Sequence, residues 1–140
     1  MHATVRWEEG VRFRGESASG HQVIMDGAPE AGGDNRGMRP MEMVLLGMGG
    51  CSSFDVIHIL KKSRQQVTDC ELQLEAERAD SDPKVFTRIH LHFIVSGRQL
   101  EPSRVAKAVE LSAEKYCSAS IMLSRGGVAI SHDFEIINVS

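Results

Sequence analysis

The sequence is poor in aromatic residues. One Trp, one Tyr and five Phe make up 5% of 140 residues, so the seven methionines must supply part of the core volume that rings usually fill. It also lacks a strong charge of either sign. Sixteen basic residues against 19 acidic ones leave a net charge of −3, which offers no electrostatic footprint for nucleic acid. No uninterrupted apolar run approaches the ~20 residues of a bilayer span. Met1 to Arg6 has no apolar signal region either, so a cytoplasmic protein without membrane attachment is expected. Cys51, Cys70 and Cys117 are odd in number and widely spaced, which fits neither a disulfide framework nor a paired-cysteine zinc site. Walker loop, nucleophile elbow, HExxH and dinucleotide fingerprint are all missing, so neither cofactor nor metal is expected.

What is there reads as an ordinary globular domain. Hydrophobic residues make up 41% and charged ones 25%, and the length suits a single domain, 1–140. Val5 and Trp7 alternate with Arg6 and Glu8, and Val11 and Phe13 with Arg12 and Arg14, around a turn at Glu9-Gly10; this predicts a hairpin. His21 to Asp26 adds a third strand, and Gly27 to Arg39 is a loop rich in Gly, Pro, Asp and Asn. From Pro40 to Ser63 a helix apolar nearly all round is predicted, buried and central, with Pro40 at its start and Lys61-Lys62 at its end. Gly47, Gly49 and Gly50 inside it each cost about 1 kcal/mol against alanine, which close backbone approach would offset.

Cys70, Leu72, Leu74 and Ala76 alternate with Glu71, Gln73, Glu75 and Glu77, and after a turn Thr87 to Val95 alternates again, an antiparallel hairpin whose outer face can pair acids with bases. A second helix from about Glu101 ends at Tyr116-Cys117 or leads into a short helix ending near Gly126, and Val128 to Val139 closes the chain as one or two strands. The order βββ-α-ββ-α-β gives an α+β domain with mostly antiparallel sheets. So few strands cannot cover a nearly all-apolar helix, which implies a second copy packed across it.

Cys51 follows Gly47-Met48-Gly49-Gly50, where small neighbours clear space around its sulfur; a reactive thiol and a small buried hydrophobe are both open to it. Cys117 stands at the end of the later helix with the same two readings, and Cys70 shares its strand face with Leu72 and Leu74, which is a packing position. His90-x-His92 has metal-ligand spacing but no third ligand evident in sequence, and reads as a solvated face opposite the Glu71 to Glu77 row. Asp55 and His58, one helical turn apart, read as a structural pair.

The segment PMEMVLLGMGGCSSFD from Pro40 to Asp55, with SAEKYCS from Ser112 to Ser118, resembles the OsmC/Ohr family of organic hydroperoxide reductases, closest to its YhfA-like branch. The resemblance covers essentially the whole chain. It implies an OsmC-like intertwined homodimer, with mostly antiparallel curved sheets around two long central helices and active sites at the subunit interface. It further implies that Cys51 is the peroxidatic cysteine and Cys117 the resolving one. Cys51 would be oxidised to a sulfenic acid, Cys117 would capture it as a disulfide, and a dithiol reductant, lipoyl-type in the family, would reopen it. The family's activating glutamate follows the proline directly; Met41 stands there, so Glu42 is the expected carboxylate, with a partner among Arg12, Arg14, Arg36 and Arg39. An apolar pocket lined by Met43 and Met48 would favour alkyl or lipid hydroperoxides. The competing reading is a non-catalytic or weakly active dimer that binds a small apolar or thiol ligand in the same interface cleft.

Overall fold

Alternating side chains at the amino end form a three-stranded antiparallel sheet of β1 (Ala3–Glu9), β2 (Arg12–Ser17) and β3 (Gln22–Met25), in that order. The first turn uses Gly10 at φ 55°, a left-handed conformation that glycine adopts without a Cβ penalty. Trp7 Nε1 donates to the Gly10 carbonyl at 2.8 Å. In the computed structural model, which describes residues 1–140, this sheet belongs to a first unit, Met1–Leu46, and the rest of the chain forms a second, Gly47–Ser140.

The loop after β3 is wound around one carboxylate. Asp26, 3% exposed, accepts hydrogen bonds from the backbone amides of Gly27, Asp34 and Arg36 at 2.7, 3.2 and 3.1 Å. Burial opposes its charge, but these amides and the Arg12 guanidinium outweigh burial and hold its pKa below the ordinary value.

Helix α1 (Pro40–Lys62) starts and stops where the sequence signals do. Pro40 needs no amide partner in the first turn, and Glu42 Oε1 accepts the Arg39 N–H at 2.8 Å, the acidic half of a capping box. The expected all-round burial does not occur within one chain. Met48, Gly49, Ser52, Val56 and Leu60 are buried, while Leu46 and Phe54 are 54% and 70% exposed. By length and apolar content α1 would suffice to cross a bilayer, yet its buried residues recur at the 3–4 spacing of a helix with one face in a protein core. Gly49 is where it meets β4 (Gln66–Arg78): a Cβ there would stand 3.0 Å from Leu74 Cδ1, whereas Gly47 and Gly50 face open space. Close approach within the chain thus accounts for one of the three glycines.

β4 pairs antiparallel with β5 (Phe86–Arg98), setting Cys70 opposite Val95 and Leu74 opposite Leu91. Phe86, Ile89, Leu91, Phe93 and Val95 of β5 are buried in the core. The last strand, β6 (Ala129–Asn138), runs parallel to β5, the one exception to the antiparallel pattern expected. The reason is the connection: α2 (Pro102–Leu111), a π-helical turn at Ser112–Tyr116 and α3 (Ser118–Arg125) form a helical crossover, which returns a chain parallel to the strand it left. Buried Val105, Ala108 and Val109 anchor α2.

Candidate active site

The second unit assembles its thiols from elements far apart in sequence. Cys51, half-buried, comes from the middle of α1, and Cys117, 0% exposed, from the residue that caps α3. Their sulfurs and a carboxylate oxygen of Asp55, one turn beyond Cys51, lie within 4.8 Å of one another. Both cysteines are free thiols. Cys70 is also free and half-buried on β4, outside this group.

The backbone explains the meeting. The π-helical turn ends with the Cys117 amide donating to the Ser112 carbonyl at 2.8 Å, five residues back. Cys117 then leaves helical geometry at φ −74°, ψ 101°, and its sulfur accepts the Ser120 N–H at 3.4 Å as the cap of α3. Cys51 lies at the same helix end, against the backbone amides of Ala119 and Ser118. Both sulfurs therefore lie where unpaired N–H groups favour negative charge.

A buried row of hydroxyls supports them. Ser52 Oγ is 3.1 Å from Cys117 Sγ and 3.2 Å from Ser120 Oγ, and Ser112 Oγ donates to the Ser52 carbonyl at 3.2 Å and to Asp55 Oδ2 at 3.4 Å. The two thiols consequently differ. Burial and the neighbouring Cys117 raise the Cys51 pKa, against the pull of the Ala119 and Ser118 amides. For Cys117 burial also opposes ionisation, but hydrogen bonds from Ser120 and Ser52 outweigh it and lower the pKa. The sealed thiol is thus the more acidic, and the accessible one the less. Burial likewise raises the Asp55 pKa despite Ser112 and the His58 ring, and raises that of Cys70.

Glu42 lies nine residues before Cys51 on α1, about two and a half turns, and its carboxylate is engaged by the Arg39 amide. Arg39 Nη1 donates to Asn35 Oδ1 at 2.7 Å and to the Gly37 carbonyl. Arg12 pairs with Glu8 and Glu9 at 3.6 and 3.2 Å, and Arg14 with Glu8 at 2.8 Å. The Arg36 amide serves Asp26. Met48 is fully buried in the inner stripe of α1, and Met43 borders a groove of about 340 Å³ in the first unit. A more polar cavity of about 390 Å³ in the second unit is lined by Asp55, His58, Ile59, Lys62, Ser63, Leu111 and Tyr116.

Sequence reasoning missed Ser52, Ser112 and Ser120 and read Asp55 as structural. The signal for Ser120 was available, since a residue three beyond Cys117 offers its amide to a capping side chain. For Ser52 and Ser112, 60 residues apart, no local pattern exists.

The sequence profile of the family described as OsmC-like protein matches residues 32–133. Among curated relatives, protein YhfA of Escherichia coli strain K12 is 53% identical over 137 residues, covering 98% of each chain. A solved OsmC-like protein from Mycoplasma pneumoniae superposes with a TM-score of 0.83 at 14% identity, covering 97% of this chain and 96% of its own. An organic hydroperoxide resistance protein OsmC from Legionella pneumophila does so with a TM-score of 0.70 at 18% identity, covering 99% and 98%.

Proposed function

The chain belongs to the OsmC-like protein family, and from that premise we propose that it is a thiol-dependent peroxidase that reduces organic hydroperoxides to alcohols. The observation that carries the proposal is the placement of two free thiols, one accessible and one sealed, within 4.8 Å at the amino end of α3. The printed name of the Legionella pneumophila relative, an organic hydroperoxide resistance protein, supports the choice of substrate class.

The reaction follows from which sulfur a peroxide can reach. The Cys51 thiolate attacks the distal oxygen, the O–O bond breaks, the alkoxide takes a proton and leaves as alcohol, and Cys51 becomes a sulfenic acid. A carboxylate oxygen of Asp55 lies within 4.8 Å of both sulfurs. Cys117 then attacks the sulfenic sulfur, expelling water and forming the disulfide. That step needs a nucleophilic thiolate in a dry site, which the hydrogen bonds from Ser120 and Ser52 favour. A dithiol finally reduces the disulfide by exchange and is itself oxidised. Glu42, the third residue of the expected site, accepts the Arg39 N–H and so holds the amino end of α1.

The working form is a cytoplasmic homodimer. Support comes from apolar side chains left uncovered in one chain: Val5 and Trp7 in the first unit, Leu46 and Phe54 on α1, and Gly50, with nothing within 4 Å of a Cβ. The raised Cys51 thiol favours a second reading, a weakly active dimer that binds a small apolar or thiol ligand.

Stoichiometric cumene hydroperoxide, followed by mass spectrometry, separates the two. A Cys51–Cys117 disulfide should form in the wild type, Cys51→Ser should abolish turnover, and Cys117→Ser should accumulate sulfenic acid. Cys70→Ser should turn over like the wild type. If Cys51 stays reduced while a dithiol and hydroperoxide are both present, the peroxidase reading fails and the binding reading replaces it.

A further inference from the structure

The outer face of the β4–β5–β6 sheet carries a group of donors that the thiol chemistry does not use. His90 and His92 project from the same side of β5, and the parallel register sets Ser131 beside His90 and Asp133 beside His92. His90 Nε2 lies 2.9 Å and His92 Nδ1 2.7 Å from one and the same oxygen, Asp133 Oδ1. The second nitrogen of His90 is tied to Ser131 Oγ at 2.7 Å, and that of His92 lies 3.7 Å from Glu135. On the other flank Glu75 of β4 stands directly opposite His90, with Glu77 and Arg88 paired beyond it. No lysine or arginine pairs with Asp133 or Glu135; the two imidazoles are their partners. The third ligand that the His-x-His spacing lacked in sequence therefore arrives from β6, more than 40 residues away.

A carboxylate oxygen only accepts hydrogen bonds, so two imidazole nitrogens aimed at it must either both carry protons or share a cation with it. The Asp133 hydrogen bond, helped by the charges of Asp133 and Glu135, raises the His92 pKa, so a proton is the default cation there. One divalent ion between the three donors would satisfy both nitrogen lone pairs and the carboxylate together. In a tetrahedral site with bonds near 2.0–2.1 Å the ligand atoms stand ~3.3 Å apart. The two imidazole-to-carboxylate spacings are about 0.5 Å shorter, and seating an ion requires the three side chains, 29–58% exposed, to rotate around it. Ser131 fixes the His90 ring with Nε2 directed inward, the task an outer partner performs for a metal-bound histidine.

We propose that His90, His92 and Asp133 form a site for a divalent first-row transition ion of the zinc type, with Glu135 or water as the fourth ligand. Two imidazoles and a carboxylate suit such an ion and give magnesium and calcium, which prefer all-oxygen shells, no advantage. The ion would tie β5 to β6 across the parallel ladder.

The test is calorimetric titration of the tag-free protein with Zn2+ at about pH 7.5, above the ordinary imidazole value, together with visible absorption on Co2+ binding. Because Cys51, Cys117 and Asp55 are a rival set of donors, a Cys51→Ser/Cys117→Ser double variant is titrated in parallel. One ion per chain should bind, and the Co2+ spectrum should lack thiolate charge transfer. His92→Ala and Asp133→Asn should each weaken binding about tenfold or more with unchanged circular dichroism, and the double cysteine variant should bind like the wild type. Absence of binding, undiminished binding in His92→Ala, or loss of binding only in the cysteine variant would overturn the proposal.

Discussion

Ser52 and Cys117, 65 residues apart, share a hydrogen bond of 3.1 Å between Oγ and Sγ in the buried interior of the second unit. The bond joins the middle of α1 to the cap of α3, and it is one of the interactions that make the sealed thiol the more acidic of the pair. Its removal should therefore be felt in the second chemical step rather than the first. Ser52→Ala is expected to cost about 1–3 kcal/mol of stability, the range for a buried hydrogen bond with one partner left behind. It should also raise the Cys117 pKa and prolong the lifetime of the Cys51 sulfenic acid. Dimedone trapping against time reads that lifetime; an unchanged trapping window would separate Ser52 from thiol chemistry.

Gly50 offers a test of the dimer. Nothing in the chain lies within 4 Å of a Cβ built there, and Phe54, one turn on, is 70% exposed and stacked on His58 at 6.0 Å. Gly50→Leu has room within one chain and improves helix propensity by ~1 kcal/mol, so far-UV circular dichroism should be retained. A second copy seated on that face would be displaced, and the variant should sediment near 15.4 kDa while the wild type sediments at twice that mass. A dimeric Gly50→Leu would move the interface off this stripe.

Two carboxyls, buried Asp26 and half-buried Asp55, should shape the acid limb of stability with opposite signs. Asp26 has a depressed pKa in the folded state, so its contribution is present above the unfolded value near ~3.9 and is lost as pH falls through the lower folded value. Asp55 has a raised one, so ionising it costs stability above its folded pKa, and that cost disappears below the unfolded value. Urea midpoints against pH should show Asp26→Asn less stable than the wild type at neutral pH and converging with it in acid. Asp55→Asn should be the more stable at neutral pH and converge likewise; reversed signs would mean the burial of the two carboxyls is misassigned.

Core packing under α1 is expected to dominate the stability of the second unit. Leu60 is 0% exposed, and Leu60→Ala should lower the unfolding free energy by about 2–5 kcal/mol, where Phe54→Ala, on the exposed side, should cost far less unless a partner covers it. Chemical denaturation of both variants at several protein concentrations distinguishes the two situations.

Much of the fold was legible because its cues are local. Strict alternation from Cys70 to Glu77 and from Thr87 to Val95 marked β4 and β5, and Pro40 with Lys61-Lys62 bracketed α1 to within one residue. The direction of β6 was not legible, since nothing in the strand itself says whether the preceding helices cross over the sheet or fold back beside it. That single unknown hid Asp133 from His90 and His92. The face of α1 that one chain leaves exposed could be read as apolar but not assigned a neighbour, because hydropathy reports what a residue avoids, not which molecule covers it. In the site, the meeting of Cys51 with Cys117 was suggested by a family pattern, whereas the serine row depends on the π-helical turn, whose extra residue sets the phase of everything from Ser112 to Ser120.

Cys117 is sealed from solvent and bonded by Ser52 and the Ser120 amide. A sulfur so held is a poor target and a good leaving group, since thiols of low pKa depart fastest in exchange. Any disulfide it shares with Cys51 can be opened only from the Cys51 side. The incoming reductant must then be carried for a moment as an adduct on α1 while Cys117 departs into its preformed cap. Polarity of this kind would make such a bond directional: in the proposed cycle, oxidant and reductant would both enter through one door, in sequence, and not through the other.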